Sequence, residues 1–167
     1  KQQRVTVEVE VPDDLPAVQG DRGELTQVLL NLLINALDAF DEWERDPVSG
    51  PEAGVRDVIE IQAQAPSAPG RPVVVMVRDN GPGCPKEQLP RILDAFYTGK
   101  QRPDASGLGL AISFSILQSH GGVLEVDSEP GRGFQVSLEL LPVGSELPEI
   151  PSADHPDSDQ TNGPEGS

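Results

Sequence analysis

At 167 residues the chain is the size of one domain, and 36% hydrophobic residues suffice for a core, which must be aliphatic because aromatics are only 4%. A net charge of -16 excludes nucleic acid as a partner, since phosphate binding needs a basic face. One cysteine, Cys84, and two distant histidines, His120 and His155, exclude an internal disulfide and a zinc site and fit a reducing cytoplasm.

No apolar run is long enough to span a bilayer, and the start lacks a signal-peptide pattern. The expected location is cytoplasmic. The chain opens in a strand-like segment, as expected of a piece of a longer protein, either free or membrane-anchored. Residues 4–11 alternate apolar and polar side chains, predicting a half-buried strand, and 12–20 form a turn-rich connector. From Glu24 to about Trp43, Leu25, Val28, Leu29, Leu32, Leu33, Ala36, Leu37 and Phe40 recur at helical spacing, with Asp21 as N-cap. Residues 46–57 read as loop. Residues 58–65 and 72–79 are strands, and the Val73–Val77 run predicts a central strand covered on both faces.

After a glycine-rich turn, 86–95 predicts a short helix started by Pro85, and 96–106 a polar loop. Residues 108–120 predict a second long helix stopped by Gly121 and Gly122. Residues 123–128 and 133–141 close a hairpin around Glu129-Pro-Gly-Arg-Gly133. From Pro142 onward the composition is Pro, Ser, Asp, Glu and Gly without Lys or Arg, which predicts a disordered acidic tail over 142–167, or else an acidic docking segment. The folded domain is thus expected over 1–141, as a two-layer α/β sandwich with helices on one face of a mixed sheet.

Three segments carry chemistry. In Asn31-Leu-Leu-Ile-Asn35-Ala-Leu-Asp38, Asn31 and Asn35 share one helix face and interrupt a leucine stripe. A carboxamide oxygen is a hard, neutral ligand for Mg²⁺, though an isolated Asn pair serves equally to cap nearby backbone. In Arg78-Asp79-Asn80-Gly81-Pro82-Gly83 a strand ends on a carboxylate, and the exocyclic amine of adenine is a donor that would suit it. Alone, that pattern is also an ordinary surface turn. Ser106-Gly107-Leu108-Gly109-Leu110-Ala111 opens a helix whose amides can cradle phosphate, but it is neither a Walker A loop nor a Rossmann fingerprint.

The order of these segments, with Phe96-Tyr97-Thr98-Gly99-Lys100 between them, resembles the N, G1, F and G2 boxes of bacterial sensor histidine kinases. Those kinases belong to the wider gyrase–chaperone–kinase–mismatch-repair ATP-binding superfamily. The resemblance runs from about Arg4 to Leu141. The phrase from Ser113 to Gly122 is similar to the nitrogen-regulation and dicarboxylate-sensor group. The resemblance implies ATP and Mg²⁺ as cofactors and the two-layer (Bergerat) ATP-binding fold. Asn35 would be the principal metal ligand, with Asn31 beside it. Asp79 would bind the adenine amine, Gly81 and Gly83 would admit the ring, and Gly107 and Gly109 would face the phosphates. Lys100, with Arg102, lies in the lid and would reach the phosphates, and Phe96 would anchor the lid. Asn31, Asn35 and Lys100 form the implied catalytic set; Asp38, Ser106, Leu108 and Leu110 join the nucleotide-binding set.

In ATP-hydrolysing members a glutamate precedes the metal-binding Asn by one turn. Here Asn31 occupies that place and cannot take a proton, so the resemblance is to the kinases. The chain departs from the pattern in a short lid between Lys100 and Ser106, in Tyr97-Thr98-Gly99-Lys100, in Phe134-Gln135 where relatives often carry Thr, and in Cys84, read as a small packed side chain. Neither His120 nor His155 sits in a phosphoacceptor context; His120 is expected to cap a helix end or face solvent. The acceptor histidine is therefore expected on an upstream dimerisation domain, with a response regulator as the next partner. The piece alone is expected to be monomeric and the parent a homodimer. The rival readings are an ATPase clamp and a nucleotide-sensing module without phosphotransfer.

Overall fold

The computed structural model describes residues 5–45, 56–94 and 107–145. A five-stranded mixed sheet has the order β1-β2-β3-β5-β4, with β1 (Val5–Glu10), β2 (Asp57–Gln64), β3 (Val73–Asp79), β4 (Val123–Ser128) and β5 (Phe134–Leu140). Only the β1–β2 pair is parallel, and the crossover between those strands carries α1 (Arg22–Arg45). The predicted Asp21 cap is present: its Oδ1 accepts from the Glu24 N–H at 2.9 Å.

Strand alternation sends one set of side chains to the helices. Ile59, Val77, Val136, Leu138, Leu140 and Leu124 pack against Val28, Leu32, Ala36 and Phe40 of α1 and Leu117 of α3 (Gly109–Ser119). Truncating a large member of this cluster costs roughly 2–5 kcal/mol. An exposed ion pair such as Arg78–Glu60, at 3.9 Å, contributes at most about 1 kcal/mol. The fold therefore rests on the aliphatic layer.

Three expectations change. β3 is central, but among the described residues helices cover one face only; Val74 and Met76 on the other face are half-buried and Arg78 is exposed. A run of β-branched residues thus marked a central strand without marking a second layer. The short helix expected over 86–95 is a 3-10 turn, Lys86–Gln88, followed by one helical turn, α2 (Leu89–Ile92). Pro90 has no N–H to give to Lys86, so an α-ladder cannot run through it. Beyond Leu141, where a disordered tail was expected, Val143 donates to Ala17 O at 2.8 Å and the Gln19 amide side chain donates to the carbonyls of Pro142 and Ser145. Residues 142–145 are therefore bound to the connector.

His120 takes the expected capping role at the end of α3, with a side chain only 11% exposed. The Asp21 N–H can only donate, so Nε2 accepts it at 2.9 Å, which places the ring proton on Nδ1, facing Ile116 O at 2.7 Å. One imidazole thus ties the end of α3 to the start of α1. Gly121, at φ +68°, turns the chain away, and the Gly122 N–H returns to Leu117 O. His120→Ala is expected to lower the unfolding free energy by about 1 kcal/mol, read from urea midpoints, because it removes the acceptor of the Asp21 N–H and one of the partners of Ile116 O.

Candidate nucleotide site

The site lies where α1, the end of β3 and the start of α3 meet. Asp79 is 5% exposed at the end of its strand. Its Oδ1 accepts from the Gly81 N–H at 2.8 Å and the Phe134 N–H at 3.3 Å. Oδ2 has no hydrogen-bond partner among the described residues. Burial pushes the carboxyl up to about 6, against the pull of the two amides and of Arg78. A buried acceptor held by one oxygen, with its other oxygen uncommitted, is the group predicted from sequence to meet an amine.

The turn after β3 needs its glycines. A Cβ on Gly81 would lie 2.8 Å from Asp79 Oδ1 and 3.4 Å from Phe40. At Gly83, φ +62°, a Cβ would enter the carbonyl oxygen of Glu129. The turn is thus pressed against the β4–β5 hairpin, and Gly131 N–H donates to Pro82 O at 2.7 Å.

Asn31 and Asn35 part company. The Asn31 amide donates to Gly109 O at 3.2 Å and Ser113 Oγ at 3.3 Å, so it fastens α1 to the first turn of α3. Its carboxamide oxygen alone is left for a ligand. Asn35 is half-buried and makes no side-chain hydrogen bond with any described residue, and Asp38 lies one turn further on, also half-buried. Among the described residues no three carboxylates, histidines or cysteines cluster. A cation here would fit the carboxamide oxygen of Asn35, a hard neutral donor, with phosphate supplying the charge.

Gly107, at φ +64°, leads into α3, and Leu108 is its N-cap residue without a side-chain cap. The first-turn amides of Gly109 and Leu110 have no partner among the described residues, as phosphate cradling requires. A Cβ on Gly109 would meet Asn31 at 3.8 Å, ordinary contact, so crowding from α1 is not what calls for glycine there. Lys100 and Ser106 lie outside the described residues, as do Phe96 and Arg102.

Two residues singled out by nothing in the pattern hold the site's frame. Asn80 accepts from the Val58 N–H and donates to Arg56 O, both at 2.8 Å, which fixes the start of β2 beside Asp79. Ser128, 4% exposed, accepts from the Cys84 N–H at 2.9 Å and donates to Gly133 O at 2.8 Å. Burial pushes the Cys84 thiol up, which disfavours the reactive thiolate and agrees with a packing role. An Asn after a strand-end acid is a detectable signal for backbone capping; a Ser ending a strand is not.

Residues 20–144 match the family model of the histidine kinase-, DNA gyrase B- and HSP90-like ATPases. The chain is 37% identical over 128 residues to the sensor histidine kinase ZraS of Escherichia coli, covering 77% of this chain and 24% of that protein. It is 38% identical over 137 residues to the sensory histidine kinase/phosphatase NtrB of Azospirillum brasilense, covering 76% and 31%. The chain thus spans about a quarter to a third of the length of these two relatives. Among solved structures, the mycobacterial sensor histidine kinase MprB superposes with a TM-score of 0.62 at 26% identity, covering 83% of this chain and 82% of that one. Full-length ShkA in complex with AMPPNP gives 0.64 at 28% identity, covering 86% and 27%. The chain belongs to the histidine kinase-, DNA gyrase B- and HSP90-like ATPase family, on its sensor histidine kinase branch.

Proposed function

We propose that this domain binds Mg·ATP between α1, the Asp79 turn and α3, and presents the γ-phosphoryl group to a histidine on a separate helical dimerisation domain. The observation that carries the reading is Asp79, buried with Oδ1 held by two amides while Oδ2 remains for the adenine amine. Asn35 would hold a magnesium ion, which supplies charge neutralisation to the phosphates. The α3 amides, with Lys100 and Ser106 from the lid, would take phosphate oxygens. Chemistry of this kind is positioning and electrostatics more than covalent participation. The Asn31 amide donates to α3 and cannot accept a proton, which favours transfer over hydrolysis by an ATPase clamp. The acceptor histidine, dimerisation and a cognate response regulator belong to the rest of the protein. The nucleotide-binding unit would then comprise the domain up to Ser145, with the acidic stretch beyond it as an appended tail.

The test is calorimetric titration with a Mg·ATP analogue, followed by mixing with the helical acceptor domain. Saturable binding that Asn35→Ala weakens about tenfold or more only when magnesium is present, with no turnover by the domain alone, supports the reading. Binding without phosphorylation of the acceptor domain would point to a nucleotide-sensing module instead.

A further inference from the structure

We infer that Ser128 is a positioning residue for the adenine end of this site: its hydroxyl sets the peptide unit whose N–H holds Asp79. The inference rests on the nucleotide reading above. Ser128 ends β4 on the buried face, where a hydroxyl is tolerated only if its hydrogen bonds are made. They are made, one on each side. Its proton goes to Gly133 O at 2.8 Å, and its lone pair takes the Cys84 N–H at 2.9 Å.

The Gly133 carbonyl and the Phe134 N–H belong to one planar peptide, so they point in opposite directions and turn together. With the oxygen fixed on Ser128, the N–H is aimed at Asp79 Oδ1, 3.3 Å away. Gly133 sits at φ +88° with its Cα against the Asp79 carbonyl, so the two strands approach too closely for any side chain there. On its other side the hydroxyl anchors Cys84 and hence the turn containing Gly81 and Gly83. The Gly81 N–H is the second donor to the same carboxyl oxygen. Ser128 therefore stands behind both arms that orient Asp79.

Removing the hydroxyl frees the Gly133–Phe134 peptide to rotate, and Asp79 loses a donor to its ionised form. That donor lowers the Asp79 pKa from where burial alone would put it, so its loss raises the pH at which the carboxylate protonates. A hydroxyl that only satisfied its own turn would change stability and leave this titration alone.

The experiment measures ATP, ADP and AMP affinity from pH 5 to 8 for the wild-type chain, Ser128→Ala and Ser128→Thr, each checked for folding by circular dichroism. Expected for Ser128→Ala is affinity weaker by about tenfold, the net worth of one hydrogen bond, to the same extent for all three nucleotides. The midpoint of the pH dependence should move upward, and Ser128→Thr should restore both. If Ser128→Ala does not fold, Ser128→Cys, which weakens the bond while keeping the volume, carries the same comparison. A folded variant with wild-type affinity and midpoint overturns the inference while leaving the nucleotide site intact. Absence of binding by the wild-type chain overturns the nucleotide reading instead.

Discussion

Asp79→Asn is expected to weaken nucleotide binding by at least a hundredfold while making the nucleotide-free domain more stable at neutral pH. An amide oxygen at Oδ1 still accepts from Gly81 and Phe134. An amide nitrogen at the other position meets the adenine amine donor to donor, and an unpaired buried polar contact is costly. The stability change follows from the raised pKa. The folded carboxyl takes its proton below about 6 and the unfolded one below 3.8, so between those values the folded state binds more protons. Stability then falls as pH rises through that window, and the whole deficit is present above pH 6. A shift of that size corresponds to on the order of 3 kcal/mol. Urea melts at pH 7.5 and pH 5 check it: the advantage of Asp79→Asn should be large at the higher pH and smaller at the lower. An equal advantage at both would mean that the buried charge is not its source. A functional carboxylate kept at a cost to the fold is what a binding site of this kind implies.

The second large effect is steric. Gly133→Ala and Gly83→Ala are each expected to cost more than about 4 kcal/mol, enough to prevent folding of a domain of ordinary stability. At Gly133 a methyl group would occupy the position of the Asp79 carbonyl oxygen, and at Gly83 that of Glu129. Both obstacles are backbone, in strands or turns locked to each other, so they cannot swing away. Gly70→Ala and Gly131→Ala provide the control. Both glycines have positive φ, at 78° and 74°, but a Cβ there meets nothing within 4 Å. They should cost only the backbone preference, about 1–2 kcal/mol. Soluble yield and urea midpoints of the four variants separate crowding from conformational preference.

The sequence was most legible where one physical signal dominated. Helical periodicity located α1, and Asp21 marked its start. Gly121 and Gly122 ended α3, and the bounds of β1, β2 and the hairpin fall within a residue or two of those expected, although β1, read from its alternation as half-buried, is exposed from Thr6 to Glu10. Legibility failed where a residue's role depends on what lies across from it. Asn31 and Asn35 share a face, but only packing reveals that α3 takes the amide of the first and not that of the second. Ser128 and His120 are polar residues at element ends, where sequence alone does not show what faces them. Each is met by a distant backbone N–H, of Cys84 and of Asp21. Residues 142–145 open a stretch whose composition predicts a tail, yet their carbonyls and the Val143 amide are used by the connector. Composition reports what a segment can bury, not what can hydrogen-bond to its backbone.

That connector seam also bears on the order in which the domain assembles. Gln19 and Pro142 are 123 positions apart. Closing a chain loop of that length costs roughly 4 kcal/mol of entropy before any contact is made. A few hydrogen bonds at about 1 kcal/mol each cannot offset this from an open chain. Once the sheet has brought β5 beside β3, the same bonds form across a gap already closed. The seam is therefore a late event in folding, a latch that records the completed sheet and does not drive its assembly.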